Sequence, residues 1–149
     1  MIGVAPAGPA LRGLLRFGAV AVAGTAAAVL FGPTGPLGGF WAPTPDIPAP
    51  SGAVLGGLVA ERMIENLAFG AGLAILFTGR RWFGAAAHAG TAWLASVWLL
   101  ASWMPHGALH VHHGMRPEGL LVIEWVFHVG VIAAVVALLW ALPVRRRDM

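Results

Sequence analysis

Apolar residues occur along this chain in long unbroken runs, without the alternation of apolar and polar positions that is typical of amphipathic β-strands. The last three of the four runs reach the roughly 20 residues with which an α-helix crosses a bilayer. Lipid offers backbone amides no hydrogen-bond partners, so a run that enters it must be helical. The pattern predicts an all-α, polytopic integral membrane protein, one domain over residues 1–149, with four transmembrane helices at about 14–31, 53–78, 82–104 and 119–142.

The first run is weaker than the others and follows two arginines, a pattern that a cleaved signal peptide shares. We expect a retained span, because residues 14–31 are long enough to cross when they are fully helical. A proline-rich outer loop at 32–52 and a histidine-rich outer loop at 105–118 join the spans. The prolines exclude an α-helix and predict a stiff connector, although Phe40 and Trp41 also suit a lid or a partner-docking surface.

Arginines orient the predicted bundle, since the cytoplasmic loops of membrane proteins are enriched in positive charge. Four spans place three separate groups on one side: Arg12 with Arg16, Arg80 with Arg81, and Arg145, Arg146 and Arg147. The two opposite loops hold only Arg116. Both termini are therefore predicted to be cytoplasmic, in a multi-pass protein of the cell membrane whose first partner is the lipid bilayer.

The amino-acid composition supports a membrane protein and excludes soluble and disordered proteins. Hydrophobic residues make up 58% of the chain and charged residues 10%, which is too few charges to cover a soluble or disordered protein. The chain has no cysteine, which excludes disulfides, thiolate metal ligands and iron–sulfur clusters. The net charge of +3 rests on arginines that the topology explains, so we expect no nucleic-acid partner.

Polar residues within the predicted spans mark the candidate site, because an ionisable group costs roughly 2.5–3.5 kcal/mol at the membrane centre. They are Glu61, Arg62, Glu65 and Asn66 in the second span, His88 in the third, and Glu124 and His128 in the fourth. At about 1.5 Å per residue, Glu61 and Glu65 lie about 12 and 18 Å below the outer boundary, and Glu124 and His128 about 8 and 14 Å. These four residues are predicted to share one depth, and His88 to lie near the cytoplasmic side.

The i,i+4 spacing of Glu61 with Glu65, and of Glu124 with His128, places each pair on one helix face. Three carboxylates and an imidazole suit a divalent metal ion, because a single arginine, Arg62, neutralises only one carboxylate. Two alternatives stay open at this point. One is a hydrogen-bonded network that only locks the helices together, and the other is a site that handles protons or binds a substrate.

Four of the six histidines fall within eight residues beyond the third span: His106, His110, His112 and His113. If this stretch is helical, His106, His110 and His113 share a face that suits Zn²⁺ or Cu²⁺ bound by neutral imidazole. A surface loop whose histidines titrate freely is the alternative. Haem is the less favoured cofactor. Its iron would need two axial histidines at one depth, and because His88 lies at another depth, these would be His128 with His106 or His110.

Together these patterns predict a bound transition-metal ion, Zn, Cu or Fe, that serves membrane redox chemistry or metal delivery. The predicted ligands are His106, His110, His113, His128, Glu61, Glu65 and Glu124. Charge balance and hydrogen bonds are expected from Arg62, Asn66 and His112. Two other functions fit the same residues: a non-catalytic small subunit of a larger membrane complex, and a proton-coupled transporter that acts as an oligomer. No catalytic motif assigns a reaction, so the sequence leaves open whether the protein is an enzyme.

Overall fold

The computed structural model describes residues 8–41, 51–85, 88–114 and 117–141, and within these ranges it contains helices and turns but no strand. The α-helices are α1 Pro9–Phe31, α2 Gly52–Ala74, α3 Ala89–Ala101, α4 Trp103–His113, α5 Pro117–Ile123 and α6 Gly130–Ala141. Short 3₁₀ turns lie at Gly39–Trp41 and Arg80–Phe83, and π-helical turns at Ile75–Gly79 and Glu124–Val129. The predicted all-α class is confirmed for these residues.

Some residues on which the topology and loop predictions depend lie outside the described ranges. They are Arg116, Arg145, Arg146, Arg147, Pro43, Pro45, Pro48 and Pro50. The structure therefore bears on the other two arginine groups and on the first part of the proline-rich loop.

Helix α1 lies antiparallel along α2, and glycines set how closely the two backbones approach. A Cβ on Gly24 would stand 3.1 Å from the Cα of Gly70, and a Cβ on Gly70 would overlap the backbone of Ala21 and Thr25. Small residues at such crossings allow helices to pack closely without large side chains between them. At the end of α2, the π-helical turn presents the Ile75 carbonyl, which accepts a hydrogen bond of 2.9 Å from the Trp93 indole of α3.

Helix α3 is short because the helical path bends at Ser102. Pro105 has no N–H for the carbonyl of Ala101, and its ring crowds that carbonyl. The helix resumes as α4, where the His106 N–H donates to the Ser102 carbonyl at 3.0 Å. The described residues of the predicted third span, 82–104, thus comprise the end of a 3₁₀ turn, the 13-residue helix α3 and the start of α4. Most of the segment predicted as a histidine-rich loop is helical instead.

Two helices are long and apolar enough to cross a membrane: α1, and the continuous helix Pro117–Ala141 that contains α5, the second π-helical turn and α6. Helix α2 equals α1 in length at 23 residues, but it carries Glu61, Arg62 and Glu65. Helix α3 has 13 residues, too few to span a bilayer alone. By length and composition, the described residues therefore supply two candidate spans rather than the four that were predicted.

The interior of the molecule consists of small residues, and large apolar residues face outward. Among the residues that the structure describes, six of the seven buried hydrophobic residues are alanines, and the seventh is Ile123. Val22, Ile64 and Leu139 are 70%, 67% and 65% exposed. A soluble domain buries mainly Leu, Ile, Val and Phe, so this distribution is the reverse of an ordinary aqueous core.

The helices define two ends of the bundle. At the end that we call the arginine end, the Arg81 guanidinium lies against Gly13, and the rings of Trp82 and Phe17 pack with centroids 4.9 Å apart. His88 follows shortly afterwards and contacts Trp140 at 3.8 Å between ring centroids. The other end, which we call the histidine end, is formed by α4 and the first half of Pro117–Ala141.

Candidate functional site

Four polar side chains from two helices contact one another at the histidine end, and we call them the imidazole–carboxylate cluster: His106, His110, Glu124 and His128. The Nε2 atoms of His106 and His110 are 2.9 Å apart. His110 Nε2 lies 3.6 Å from Glu124 Oε1, and the other carboxylate oxygen of Glu124 pairs with His128 Nδ1. The rings of His128 and His106 lie 4.9 Å apart between centroids, which closes the ring of contacts.

Helical spacing positions each half of this cluster. His106 and His110 stand one turn apart on α4, because the chain after Pro105 is helical. Glu124 and His128 stand four residues apart on the π-helical turn, a widened form of helix that occurs mostly as single turns and often at functional sites. Their side chains are 47% and 48% exposed, so the cluster opens to the surroundings on this side.

His106 has the most enclosed surroundings of the cluster histidines. Phe127 and Trp103 pack against its ring, with centroids 5.2 and 6.2 Å away. Burial lowers the pKa of His106, and the neighbouring imidazoles of His110 and His128 lower this pKa further. Neutral imidazole is the form that binds metal ions and accepts hydrogen bonds.

A partly buried ion pair on α2 adjoins the cluster. Arg62 Nη1 lies 2.7 Å from Glu65 Oε2, and Arg62 Nη2 donates to the Gly107 carbonyl at 2.8 Å. Gly107 follows His106 directly on α4, and a Cβ on it would overlap the Arg62 guanidinium and come within 2.7 Å of a Glu65 oxygen. A larger residue at this position would push the ends of the Arg62 and Glu65 side chains away, so glycine allows the ion pair to lie this close to the α4 backbone.

A cavity of about 530 Å³ connects the ion pair with the cluster. Its polar lining comes from Glu61, Arg62 and Glu65 on α2, and from His106 and His110 on α4. This volume lies within the range of small-molecule sites in proteins. Glu61, one of the predicted metal ligands, contributes an exposed carboxylate to this cavity and does not contact the imidazoles.

His113, a predicted ligand, does not join the cluster. The chain reverses at Gly114, whose φ of 62° favours glycine, so His113 meets the start of α5. The His113 ring lies so close to Gly119 that a Cβ on Gly119 would overlap it. His110 instead contacts Glu124, which lies further along the helix Pro117–Ala141. The structure thus divides the predicted face of three histidines into two places.

The remaining predicted polar residues also lie apart from the cluster. His112 packs against Trp41 with ring centroids 6.3 Å apart, and its Nδ1 is buried without a hydrogen-bond partner among the described residues. Asn66 is buried beside Glu65, and no hydrogen bond in the described part of the chain joins it to the imidazoles. The sequence contains no sign of the role of Gly107. No local pattern shows that this glycine, between His106 and His110, accepts a hydrogen bond from Arg62 on another helix.

The cluster as it stands is hydrogen-bonded rather than arranged around a metal ion. Across residues 8–41, 51–85, 88–114 and 117–141, no group of three or more His, Cys, Asp or Glu is arranged to hold a metal. Zinc–nitrogen bonds of about 2.0–2.1 Å place two tetrahedral ligands roughly 3.3 Å apart. The 2.9 Å between His106 and His110 is shorter than this, which suits a shared proton.

Comparison of the chain with protein-family models, curated proteins and solved structures gives no match. The functional conclusion therefore rests on the geometry of the cluster and its surroundings.

Proposed function

We propose that this protein is a multi-pass membrane protein that binds a transition-metal ion at the imidazole–carboxylate cluster. In this proposal the chain crosses the membrane four times with both termini in the cytoplasm. The histidine end then faces outward, where an ion arrives from the extracytoplasmic side. The ion serves membrane redox chemistry or metal delivery.

Three observations support the membrane setting. Large apolar side chains face outward and alanines lie between the helices, as in helix bundles packed within lipid. Arg81 lies against Gly13, which brings the groups Arg12–Arg16 and Arg80–Arg81 to the same end of the bundle. A common cytoplasmic side for both groups follows from the enrichment of positive charge there. The Arg62–Glu65 pair also reduces the cost of placing α2 in lipid.

The observation that carries the metal proposal is the meeting of His106, His110 and Glu124, with 2.9 and 3.6 Å between the successive donor atoms. These distances lie on either side of the roughly 3.3 Å that separates tetrahedral zinc ligands. If the Nε2 atoms of His106 and His110 move apart by a few tenths of an ångström, an ion can take the place of the proton that they share. His128 contacts the second carboxylate oxygen of Glu124. Such a contact orients a carboxylate that binds a metal through its other oxygen.

A titration of the detergent-purified full chain with Zn²⁺ and with Cu²⁺ tests this proposal. We expect saturable binding of one ion per chain, weakened by a factor of about 100 in His110→Ala. The matched control is His113→Ala, which removes a histidine of the same helix outside the cluster and should leave the affinity unchanged. Equal losses in both variants, or no saturable binding by the native chain, would contradict the proposal.

A second function, proton handling, is favoured by the hydrogen bond between His106 and His110. Glu124 and His128 continue these contacts toward the exposed side, and chains of Glu and His are typical of proton relays in membranes. Proton flux into liposomes that contain the chain distinguishes the two functions. Flux that persists with a strong chelator and is lost in Glu124→Gln supports the relay, whereas no flux in the native chain excludes it.

A further inference from the structure

A second cavity, of about 680 Å³, lies between α3 and α6 and is separate from the one beside the Arg62–Glu65 pair. Its walls are almost entirely carbon and include Leu94, Ala95, Ala134 and Ala137. The small side chains of α6 leave this space open, and the cavity reaches the outer surface of the bundle. Its volume matches sites that hold a compound of drug-like size.

Two aromatic rings form one wall of this cavity. Trp98 of α3 and Phe127 of the π-helical turn stack at 6.0 Å between centroids with 23° between their planes. Gly130 makes room for the indole, because a Cβ there would come within 2.7 Å of three of its atoms. A flat, fixed pair of rings is a surface on which a planar ligand can stack.

Ser102 also lines this cavity, and its hydroxyl is the observation that points to a ligand. The residue is only 5% exposed, yet no hydrogen bond within the described ranges involves its side chain. Helical hydroxyls usually donate to the carbonyl four residues earlier, as Ser96 does to Ala92 at 2.8 Å and Thr78 does to Ala74 at 2.7 Å. The Ser102 hydroxyl is accessible from the cavity, so an oxygen of a bound compound can accept the hydrogen bond that the described residues do not accept.

We propose that the cavity between α3 and α6 binds a lipid-soluble ring compound that carries a hydrogen-bonding oxygen, of the quinone or quinol class. The oxygen pairs with the Ser102 hydroxyl, and the ring packs beside Trp98 and Phe127. An acyl chain fits the apolar walls equally well, but it brings no oxygen to Ser102. The site is independent of the metal proposal, because it shares no side chain with the cluster.

The test is equilibrium binding of a decyl-substituted benzoquinone to the full chain in lipid nanodiscs, followed by quenching of tryptophan fluorescence. We expect the quinone to quench tryptophan fluorescence in a saturable manner. The amplitude of this quenching should be smaller in Trp98→Phe, because Trp98 lines the cavity. Ser102→Ala is expected to weaken binding about fivefold, the usual effect of one neutral hydrogen bond. Ser96→Ala is the matched control, because it removes a hydroxyl of α3 that is already paired with the Ala92 carbonyl, and its affinity should equal that of the native chain.

A variant that fills the space keeps the proposal testable if Ser102→Ala fails to fold. Ala137→Leu places a larger side chain in the cavity without touching Ser102, and it should abolish saturable quenching while the helical circular dichroism stays unchanged. Decylbenzene, which lacks the oxygen, should bind at least about fivefold more weakly than the quinone. The proposal is overturned if decylbenzene or oleate competes as well as the quinone, if Ser96→Ala and Ser102→Ala lose affinity equally, or if the native chain shows no saturable quenching.

Discussion

His106 and His110 stand one turn apart on α4 with their Nε2 atoms 2.9 Å apart, so one imidazole donates a proton that the other accepts. The contact requires at least one neutral ring, because two imidazolium rings would place donor against donor. A metal ion and this proton therefore compete for the same pair of nitrogen atoms. Several testable properties of the protein depend on this competition.

The first prediction concerns pH. Burial lowers the pKa of His106, as do His110, His128 and, to a smaller extent, Arg62, while Glu124 opposes them. The unfolded chain takes up a proton at this residue below a pH of about 6.5, whereas the folded chain does so only at lower pH. Between these values the unfolded state binds more protons, so the free energy of unfolding falls as the pH decreases.

Melting temperatures of the chelator-treated protein at pH 7.5 and 5.5 measure this effect. The loss of stability on acidification should be smaller in His106→Gln than in the native chain. His88→Gln, a control at the arginine end, should retain the full loss. An equal pH dependence in His106→Gln and the native chain contradicts the prediction.

The second prediction concerns Gly107. Replacing a glycine inside a helix by alanine usually stabilises a protein by roughly 0.5–1 kcal/mol. At Gly107 the new Cβ displaces the ends of the Arg62 and Glu65 side chains, which breaks the hydrogen bond from Arg62 to the Gly107 carbonyl. Gly107→Ala should therefore lack this gain and lower the free energy of unfolding by about 1 kcal/mol. Gly57→Ala on α2 is the control, because a Cβ there meets no atom within 4 Å. Thermal unfolding of both variants checks the contrast, and equal melting temperatures would show that the ion pair does not dock on α4.

The third prediction concerns the Arg62–Glu65 pair. Arg62→Gln leaves a carboxylate that is 8% exposed without its cationic partner, and the expected loss is up to about 3 kcal/mol. The double variant Arg62→Gln with Glu65→Gln should recover much of this loss, since it also removes the buried charge. Unfolding of the single and double variants in one detergent measures the recovery. Additive losses would mean that the two side chains do not stabilise each other.

The fourth prediction concerns topology. The chain has no cysteine, so single cysteines introduced at exposed positions give clean labelling. Thr34→Cys, in the loop after α1, should react with a membrane-impermeant maleimide in intact cells. Ala85→Cys, beside Arg80 and Arg81, should react only after the membrane is permeabilised. Labelling of Ala85→Cys in intact cells would reverse the proposed orientation.

The sequence predicted the helical class of the described residues for reasons that can be stated. Long apolar runs without alternation indicated helices, which these residues form, and the i,i+4 spacing of Glu124 and His128 places their side chains in contact. The contact of Glu124 with His110 needed knowledge of the reversal at Gly114, which brings α5 back beside α4. The spacing along α4 places His113 on the same face as His106 and His110. Spacing within one helix does not show which neighbouring helix each side chain contacts, and His113 contacts Gly119.

Other features depend on contacts between distant segments, which local patterns do not record. The break at Ser102 follows from Pro105, but the cavity beside it exists because small residues of α6 face α3. The role of Gly107 depends on Arg62, 45 positions earlier in the chain. Charges on α2 and the shortness of α3 also reduce the number of candidate spans to two, although hydropathy alone had indicated four.

X-ray absorption spectroscopy of the gently purified protein, collected at the zinc, copper and iron edges, tests the metal proposal most directly. We expect one of these metals at about one ion per chain, with imidazole scattering from two histidines and a light-atom shell at about 2.0–2.1 Å if the ion is zinc. The imidazole signal should disappear in His110→Ala and persist in His113→Ala. Protein without any of these metals, or a metal with the same surroundings in both variants, would contradict it.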